Sequence, residues 1–427
     1  MEMIARPLRF CMITTFYPPY HFGGDAIFVH RLSNELARRG HHVEVIHCLD
    51  SYHALGGKEP CGRYEDHSNV RVHGLKSRWG FLSPLSVHQT GYPLFQRGPI
   101  KKIVSGGFDV IHYHNVSLVG GPKILEYGKA IKLYTPHEYW LVCPSHMLFR
   151  FNNEPCPRKC CLACTLVHKR PPQWWRYAGI LKRALNHIDA FTVLTDFSEK
   201  VHRREGLDLP FVHLPFFSPT QDNEISADEE RAKERPGEPS YFLYVGRLEK
   251  LKGVQTLIPL FRHYPKAQLW IAGSGNLEHE LRQMAEGCSN IRFLGRMPYP
   301  QLHSLYRNAV AVIVPSLFYE ISPLVIIEAA RHQTPVIARH LGGMPEVVTE
   351  SGGGVVYDTQ EELRAAMDRL CSDPSLRKEL GGKGSAACRE KWSAESHINR
   401  YLSLIAGIAE KRGIVLGENQ PTGRAGI

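Results

Sequence analysis

One alternation, begun twice along the chain, sets the architecture. Short β-branched or aromatic runs at residues 8–14, 43–47, 70–74, 110–113, 131–135, 190–194 and 211–214 are separated by segments of helical periodicity, the first an amphipathic helix over about residues 25–39. Strands that alternate with helices predict a parallel sheet covered on both faces. Residues 218–240 then turn polar, with four Pro or Gly residues and the acidic run Asp228 to Glu230. Such a stretch buries too little apolar surface to fold alone and is expected to be a flexible linker. After it the alternation restarts at 241–245, 267–272, 290–294, 311–314 and 335–338. The expectation is an α/β protein of two doubly wound, Rossmann-like domains. Their bounds are 1–217 for the first, 218–239 for the linker and 240–385 for the second. A helix over 386–410 is expected to pack back on the body through Trp392, and 411–427 to be a disordered, Gly-rich tail.

At 427 residues and 43% hydrophobic content the chain can build two cores. No stretch reaches the roughly 18 apolar residues of a spanning helix, and the apolar run at 10–17 lacks a cleavage site. A cytoplasmic protein is expected. The net charge of +10 is lopsided: residues 1–215 hold 27 Lys+Arg against 17 Asp+Glu, whereas 216–427 hold 25 against 25. A basic first half suits a phosphate-bearing acceptor or an anionic membrane surface, or serves solubility alone. Nucleic acid is not expected, since the basic residues are dispersed and no recognition motif accompanies them.

The most specific chemistry lies in FYEISPLVIIEAA, residues 318–330. Ser322 is placed to cap a helix that Pro323 opens, its missing N–H being an orphan in any case. Glu320 then lies in the loop and Glu328 about 8 Å further on, at roughly 1.5 Å per residue. Because helical side chains tilt toward the N-terminus, both carboxylates are expected to converge on one ligand. Between them the free N–H groups and the positive end of the helix dipole favour a phosphate. Two surface glutamates beside a cap are the ordinary alternative. VGRLEKLKG puts Arg247 and Lys252 at a strand end, where two cations can neutralise a diphosphate or simply be solvated. IAGSGN places Gly273 and Gly275 after another strand, permitting close backbone approach. In the first half Gly23 and Gly24 form a candidate phosphate or acceptor loop without the full dinucleotide fingerprint, and His137 in LYTPHEYW follows a strand.

Taken in order, the Gly-Gly loop, the strand-end histidine, VGRLEKLKG, the GxG loop and the glutamate pair followed by TPVIARHLGGMPEVV resemble the family 4 retaining glycosyltransferases over about residues 8–400. The resemblance implies a GT-B fold whose first domain holds the acceptor and whose second holds a nucleotide sugar, UDP- or GDP-linked or similar, with the chemistry in the cleft they face. Carried over by position, Arg247 and Lys252 bind the diphosphate, Glu328 the ribose and Glu320 the donor sugar. His137 meets the sugar ring, and Gly23 and Gly24 let the first domain approach diphosphate or acceptor. It also implies retention of configuration without a catalytic metal, so that the leaving group is stabilised electrostatically. No Asp-x-Asp signature interrupts the strand-end loops. Pro323 departs from the Gly common in the family, which shifts phosphate contacts to amides such as that of Leu324. The acceptor is then a glycan, a lipid-linked sugar or another glycoconjugate. A nucleotide-sugar epimerase or hydrolase, and a non-catalytic sugar-nucleotide binder, are the alternatives.

Two segments stand outside that pattern. CPSHMLFRFNNEPCPRKCCLAC gathers Cys143, Cys156, Cys160, Cys161 and Cys164 in 22 residues. Four thiolates there can hold a structural zinc ion, with buried thiols or an iron–sulfur or redox role as alternatives. KRPPQWWRYAGILKRALNHID reads as a basic, aromatic helix whose Trp174 and Trp175 can meet a membrane at the inner face or pack on the sheet.

Overall fold

The computed structural model describes residues 6–60, 64–151, 154–156, 160–218 and 239–417. It divides into two compact units. The first comprises the chain to Leu194, Glu199–Leu214 and the part from Ile398 on; the second comprises Thr195–Ser198 and Pro215–His397. The linker expected at 218–239 lies outside the described residues except at its ends.

In the first unit the strands are β1 (Arg9–Ile13), β2 (His42–Cys48), β3 (Val70–Leu75), β4 (Val110–Tyr113), β5 (Ile131–Tyr134), the short pair β6 (Phe149–Arg150) and β7 (Glu154–Pro155), β8 (Ala190–Val193) and β9 (Phe211–His213). Seven of them form one sheet in the order β3-β2-β1-β4-β5-β8-β9. The sheet is parallel throughout, with Phe10 opposite both Val43 and Val110. Because βαβ crossovers cover both faces, β4, β5 and β8 are buried at every position. The core joins Ile13, Ile46, Ile111 and Phe191 to Ile100, Ile124 and Trp140 from the covering segments.

The second unit repeats the plan with β10 (Tyr241–Val245), β11 (Gln268–Ala272), β12 (Ile291–Gly295), β13 (Ala311–Val314), β14 (Val336–Arg339) and β15 (Gly354–Tyr357). Their order is β12-β11-β10-β13-β14-β15, again parallel. Phe242, Ile271 and Ile313 pack against Leu257, Phe261, Leu363 and Leu370 of the covering helices. In each sheet the strand order reverses once beside the first strand, between β1 and β4 and between β10 and β13. A doubly wound sheet leaves a crevice at the carboxyl ends of such a pair.

The chain end departs from expectation in two ways. The helix expected over 386–410 is broken at 391–393, giving Pro374–Glu390 and Ala394–Arg412. Trp392, 1% exposed, sits in that break, and its carbonyl accepts from the Ser218 amide. Residues 411–417, expected to be a loose tail, are anchored on the first unit. Arg412 donates to Asp189 at 2.8 Å and the Gly417 amide to Asp109 at 3.1 Å. Residues 418–427 lie outside the described residues.

Candidate active site

In the second unit four strand-end loops meet backbone to backbone, and glycine is what lets them. A Cβ on Gly273 would lie 1.8 Å from the Gly246 carbonyl oxygen, and one on Gly275 2.3 Å from that of Leu248. The loop after β11 is thereby pressed onto the loop after β10. The close approach expected of Gly273 and Gly275 is thus made to VGRL, not to open space. Gly253, at φ +77, and Gly343 would bring a Cβ within 2.0 Å of the Pro315 and Ile321 carbonyls respectively. Both positions admit no side chain without moving backbone.

These contacts set Lys252, from the loop after β10, against Glu320, from the loop after β13. The Lys252 ammonium donates to Glu320 Oε1 at 2.6 Å, and the Ser316 hydroxyl donates to the same oxygen at 2.7 Å. Their side chains are 23% and 11% exposed, and Lys252 also lies 5.3 Å from the centre of the Phe318 ring. The Glu320 carbonyl accepts from the Gly343 amide at 2.8 Å, so both ends of this residue are tied down. Arg247 differs: it pairs with Glu249 at 2.7 Å on the surface, and solvent leaves such a pair little hold. Its guanidinium is accessible to a ligand.

The helix that follows runs Leu324–Arg331, with Pro323 as its cap and no side chain bonding the first turn. Ser322 was expected as the cap; it is buried one position earlier instead. The extended backbone of Pro323, at ψ 119, moves the start on by one residue. Leu324 is then the first helical residue, and the first amides of the helix have no partner within it. Glu328 is buried on the second turn, where Oε2 accepts from the Tyr306 hydroxyl at 3.0 Å. Tyr306 in turn stacks on His332, ring centres 5.5 Å apart at 10°. The phenol fixes one carboxylate oxygen and orients the other. Neither Ser316 nor Tyr306 was recognised from the sequence.

The first unit gathers its own group at the switch between β1 and β4. Gly23 caps the helix Gly24–Arg38 with extended backbone, φ −150, and contributes no capping side chain. Its value is small size at an anion-favouring helix start, not a left-handed turn. Asp25 in the first turn accepts from Asn115 at 3.4 Å. His137, just past β5, bonds through Nε2 to Nδ1 of His114, just past β4, at 2.9 Å. Burial, opposed by Asp25 and Glu138, pushes the His137 imidazole down to about 4. His114 is lowered by burial and by the neighbouring His112 and His137. Burial thus favours the neutral form of both rings, in which one nitrogen donates and the other accepts in that bond. His112 extends the set, bonding Tyr401 at 3.0 Å and Thr135 at 2.8 Å. His112 and His114 were not recognised from the sequence; their spacing of two at the end of β4 is the signal that could have found them.

Comparison with known proteins agrees with both halves. The profile of group 1 glycosyl transferases matches residues 226–386, and that of glycosyltransferase family 4 matches residues 22–213. The chain belongs to the family 4 glycosyltransferases. It is 26% identical to glycogen synthase of Mycobacterium tuberculosis over 98% of each chain. Sucrose-phosphate synthase of Thermosynechococcus elongatus shares its fold with a TM-score of 0.71 at 20% identity, covering 95% of this chain and 100% of that one. Anabaena HepE, solved with UDP, does so with a TM-score of 0.60 at 16% identity, over 94% and 100%. The GT-B fold and glycosyltransferase activity follow, and nothing favours an epimerase or a non-catalytic binder.

Elsewhere in this glycosyltransferase, one of the two segments outside the family pattern departs from expectation. The basic aromatic stretch is not one helix. It is a turn at Trp174–Arg176 and a helix at Ile180–Leu185, interrupted at Gly179 with φ 65. Trp175 is buried, its indole donating to the His88 carbonyl at 2.9 Å, so of the tryptophan pair Trp174 alone is exposed. The five cysteines span the turn at Tyr139–Leu141, the β6–β7 hairpin and the helix Cys161–Val167. Among the described residues no helix is long and apolar enough to cross a membrane.

Proposed function

We propose that the enzyme transfers a sugar from a nucleoside-diphosphate sugar to a glycan or lipid-linked acceptor, retaining anomeric configuration and using no catalytic metal. The observation that carries this reading is the meeting of Lys252, Ser316 and Glu320 beside an uncapped helix start at the switch of the second sheet. A diphosphate there would be held by Lys252, Arg247 and the amides from Leu324 on, and departing charge would be stabilised by groups already in place. Glu328, oriented by Tyr306, would accept from ribose hydroxyls. Glu320 would exchange Lys252 for a hydroxyl of the transferred sugar. His137, kept neutral, would hydrogen-bond the same sugar, and Gly23 and Gly24 would leave room for diphosphate or acceptor. The solved complex of Anabaena HepE with UDP supports a uridine or similar donor.

Calorimetry with UDP, GDP, ADP and dTDP identifies the base, and NMR of the product anomer made with EDTA present tests retention and metal independence. Inverted product, or transfer that EDTA abolishes, would refute this part.

We also propose peripheral contact with an anionic inner membrane face by the cytoplasmic enzyme. Trp174, Tyr177, Leu162 and Leu166 are 59%, 65%, 47% and 61% exposed. Exposed Lys169, Lys182 and Arg183 neighbour them in sequence, and aromatic and basic side chains together suit a headgroup layer. Sedimentation with anionic vesicles checks it; protein left wholly in the supernatant would end the idea.

A further inference from the structure

The cysteine-rich segment has no part in the proposed transfer, yet it is built around its thiols. We propose that Cys143, Cys156, Cys161 and Cys164 hold one tetrahedral metal ion, zinc by the chemistry of an all-thiolate set, and that Cys160 is excluded.

Position selects four of the five. Cys161 and Cys164 stand three residues apart on the helix Cys161–Val167, which puts them on one face. Cys143 is buried just beyond the turn at Tyr139–Leu141, its amide bonded to the Tyr139 carbonyl at 2.7 Å. Cys156 leaves the β6–β7 hairpin with its amide on the Leu148 carbonyl at 2.7 Å. The thiols of Cys143, Cys161 and Cys164 are its neighbours. Cys160 is exposed at the non-helical cap position and acts on Arg150 instead.

Two further observations point to an anionic centre here. Arg176 packs its guanidinium on Trp175 at 4.4 Å and lies near Cys143 and Cys161. Its hydrogen bonds among the described residues go to neutral oxygens, those of Trp140, Leu141 and Gln173. A half-buried guanidinium with no carboxylate partner has room for a counter-charge, and a tetrathiolate zinc centre, with two net negative charges, supplies one. The second observation is backbone strain. Of five non-glycine residues with left-handed φ among the described residues, His146, Leu148 and Phe151 fall in this segment. Such conformations cost on the order of 1–3 kcal/mol each and persist only where their surroundings over-determine them.

No three of these sulfurs lie within 4.8 Å of one another among the described residues. Binding would therefore draw Cys156 and the start of the Cys161 helix inward, and it would release thiol protons as it ordered the loop. The ion would brace the segment that follows His137.

The test uses full-length protein purified without chelator and analysed by mass spectrometry for metals, with zinc release by a thiol-blocking reagent as a second readout. The expected result is about one zinc per chain, with about a tenfold loss in Cys156→Ser and Cys164→Ser and no loss in Cys160→Ser. Should those variants fail to fold, cobalt added to metal-stripped wild type must give the visible absorption of tetrahedral thiolate coordination. Less than half an equivalent of zinc, an iron–sulfur chromophore, loss of zinc in Cys160→Ser, or colourless cobalt protein would each overturn the proposal.

Discussion

Glu320→Gln is expected to tighten nucleotide binding while it cripples transfer. In the structure Lys252 is held by Glu320 at 2.6 Å, so a diphosphate can engage this ammonium only by taking it from the carboxylate. The pair is partly exposed, at 23% and 11%, and after solvent screening it is worth about 1 kcal/mol. Glutamine keeps the shape and can still accept from Ser316, but it gives up that hold. The released Lys252 should bind nucleoside diphosphate about fivefold more tightly. Lys252→Ala removes a charge-assisted contact of roughly 1.5–3 kcal/mol and should weaken the same ligand about tenfold to a hundredfold. Neither change should move the affinity of the parent nucleoside, which lacks phosphate. Titration calorimetry of both variants with the diphosphate and the nucleoside decides the matter, alongside a turnover assay. If Glu320→Gln weakened the diphosphate as much as Lys252→Ala does, competition for Lys252 would be the wrong description of the site.

Three other outcomes are expected. Gly343→Ala places a Cβ 2.0 Å from the Ile321 carbonyl and must displace the loop that carries Glu320; kcat/KM should fall at least about tenfold and the melting temperature by several degrees, since overpacking costs about 1–3 kcal/mol. Tyr306→Phe removes one hydrogen bond to the Glu328 carboxylate at a cost of about 1 kcal/mol, and a drop of about fivefold in nucleoside affinity, with diphosphate contacts unaffected, would show that Tyr306 acts through Glu328. Stability should hold above pH 7 and fall as the pH drops from about 6.5 toward 4. His47 and His137 are both lowered to about 4 by burial, so the unfolded chain takes up protons that the fold refuses. Each contributes about 1.4 kcal/mol per pH unit in that window, and denaturant unfolding with the same midpoint at pH 7 and pH 5 would contradict it.

The strands of both sheets were legible because parallel strands buried on both faces are written as short aliphatic or aromatic runs. Val110–Tyr113, Tyr241–Val245 and Ala311–Val314 fall where those runs predict. Gly354–Tyr357 escaped, since glycines precede its three apolar residues and a lone edge strand has no repeating pattern. The hairpin Phe149–Arg150 with Glu154–Pro155 escaped because two residues cannot show alternation. Ser322 read as a cap from residue type alone, but the backbone of Pro323 decides where the helix starts. What pairs across strands could not be read along them. Lys252 reaches Glu320 because β10 lies beside β13, and His114 reaches His137 because β4 lies beside β5. Sequence spacing therefore separated Lys252 and Glu320 into two roles, where the fold joins them in one ion pair.

The sharpest test is a crystal structure of the enzyme with nucleoside diphosphate bound. Phosphate oxygens are expected within hydrogen-bonding distance of the Lys252 ammonium and the Leu324 amide, with the ribose hydroxyls on Glu328. A nucleotide seated instead among Asp25, His114 and His137 of the first unit would contradict the assignment of the donor to the second.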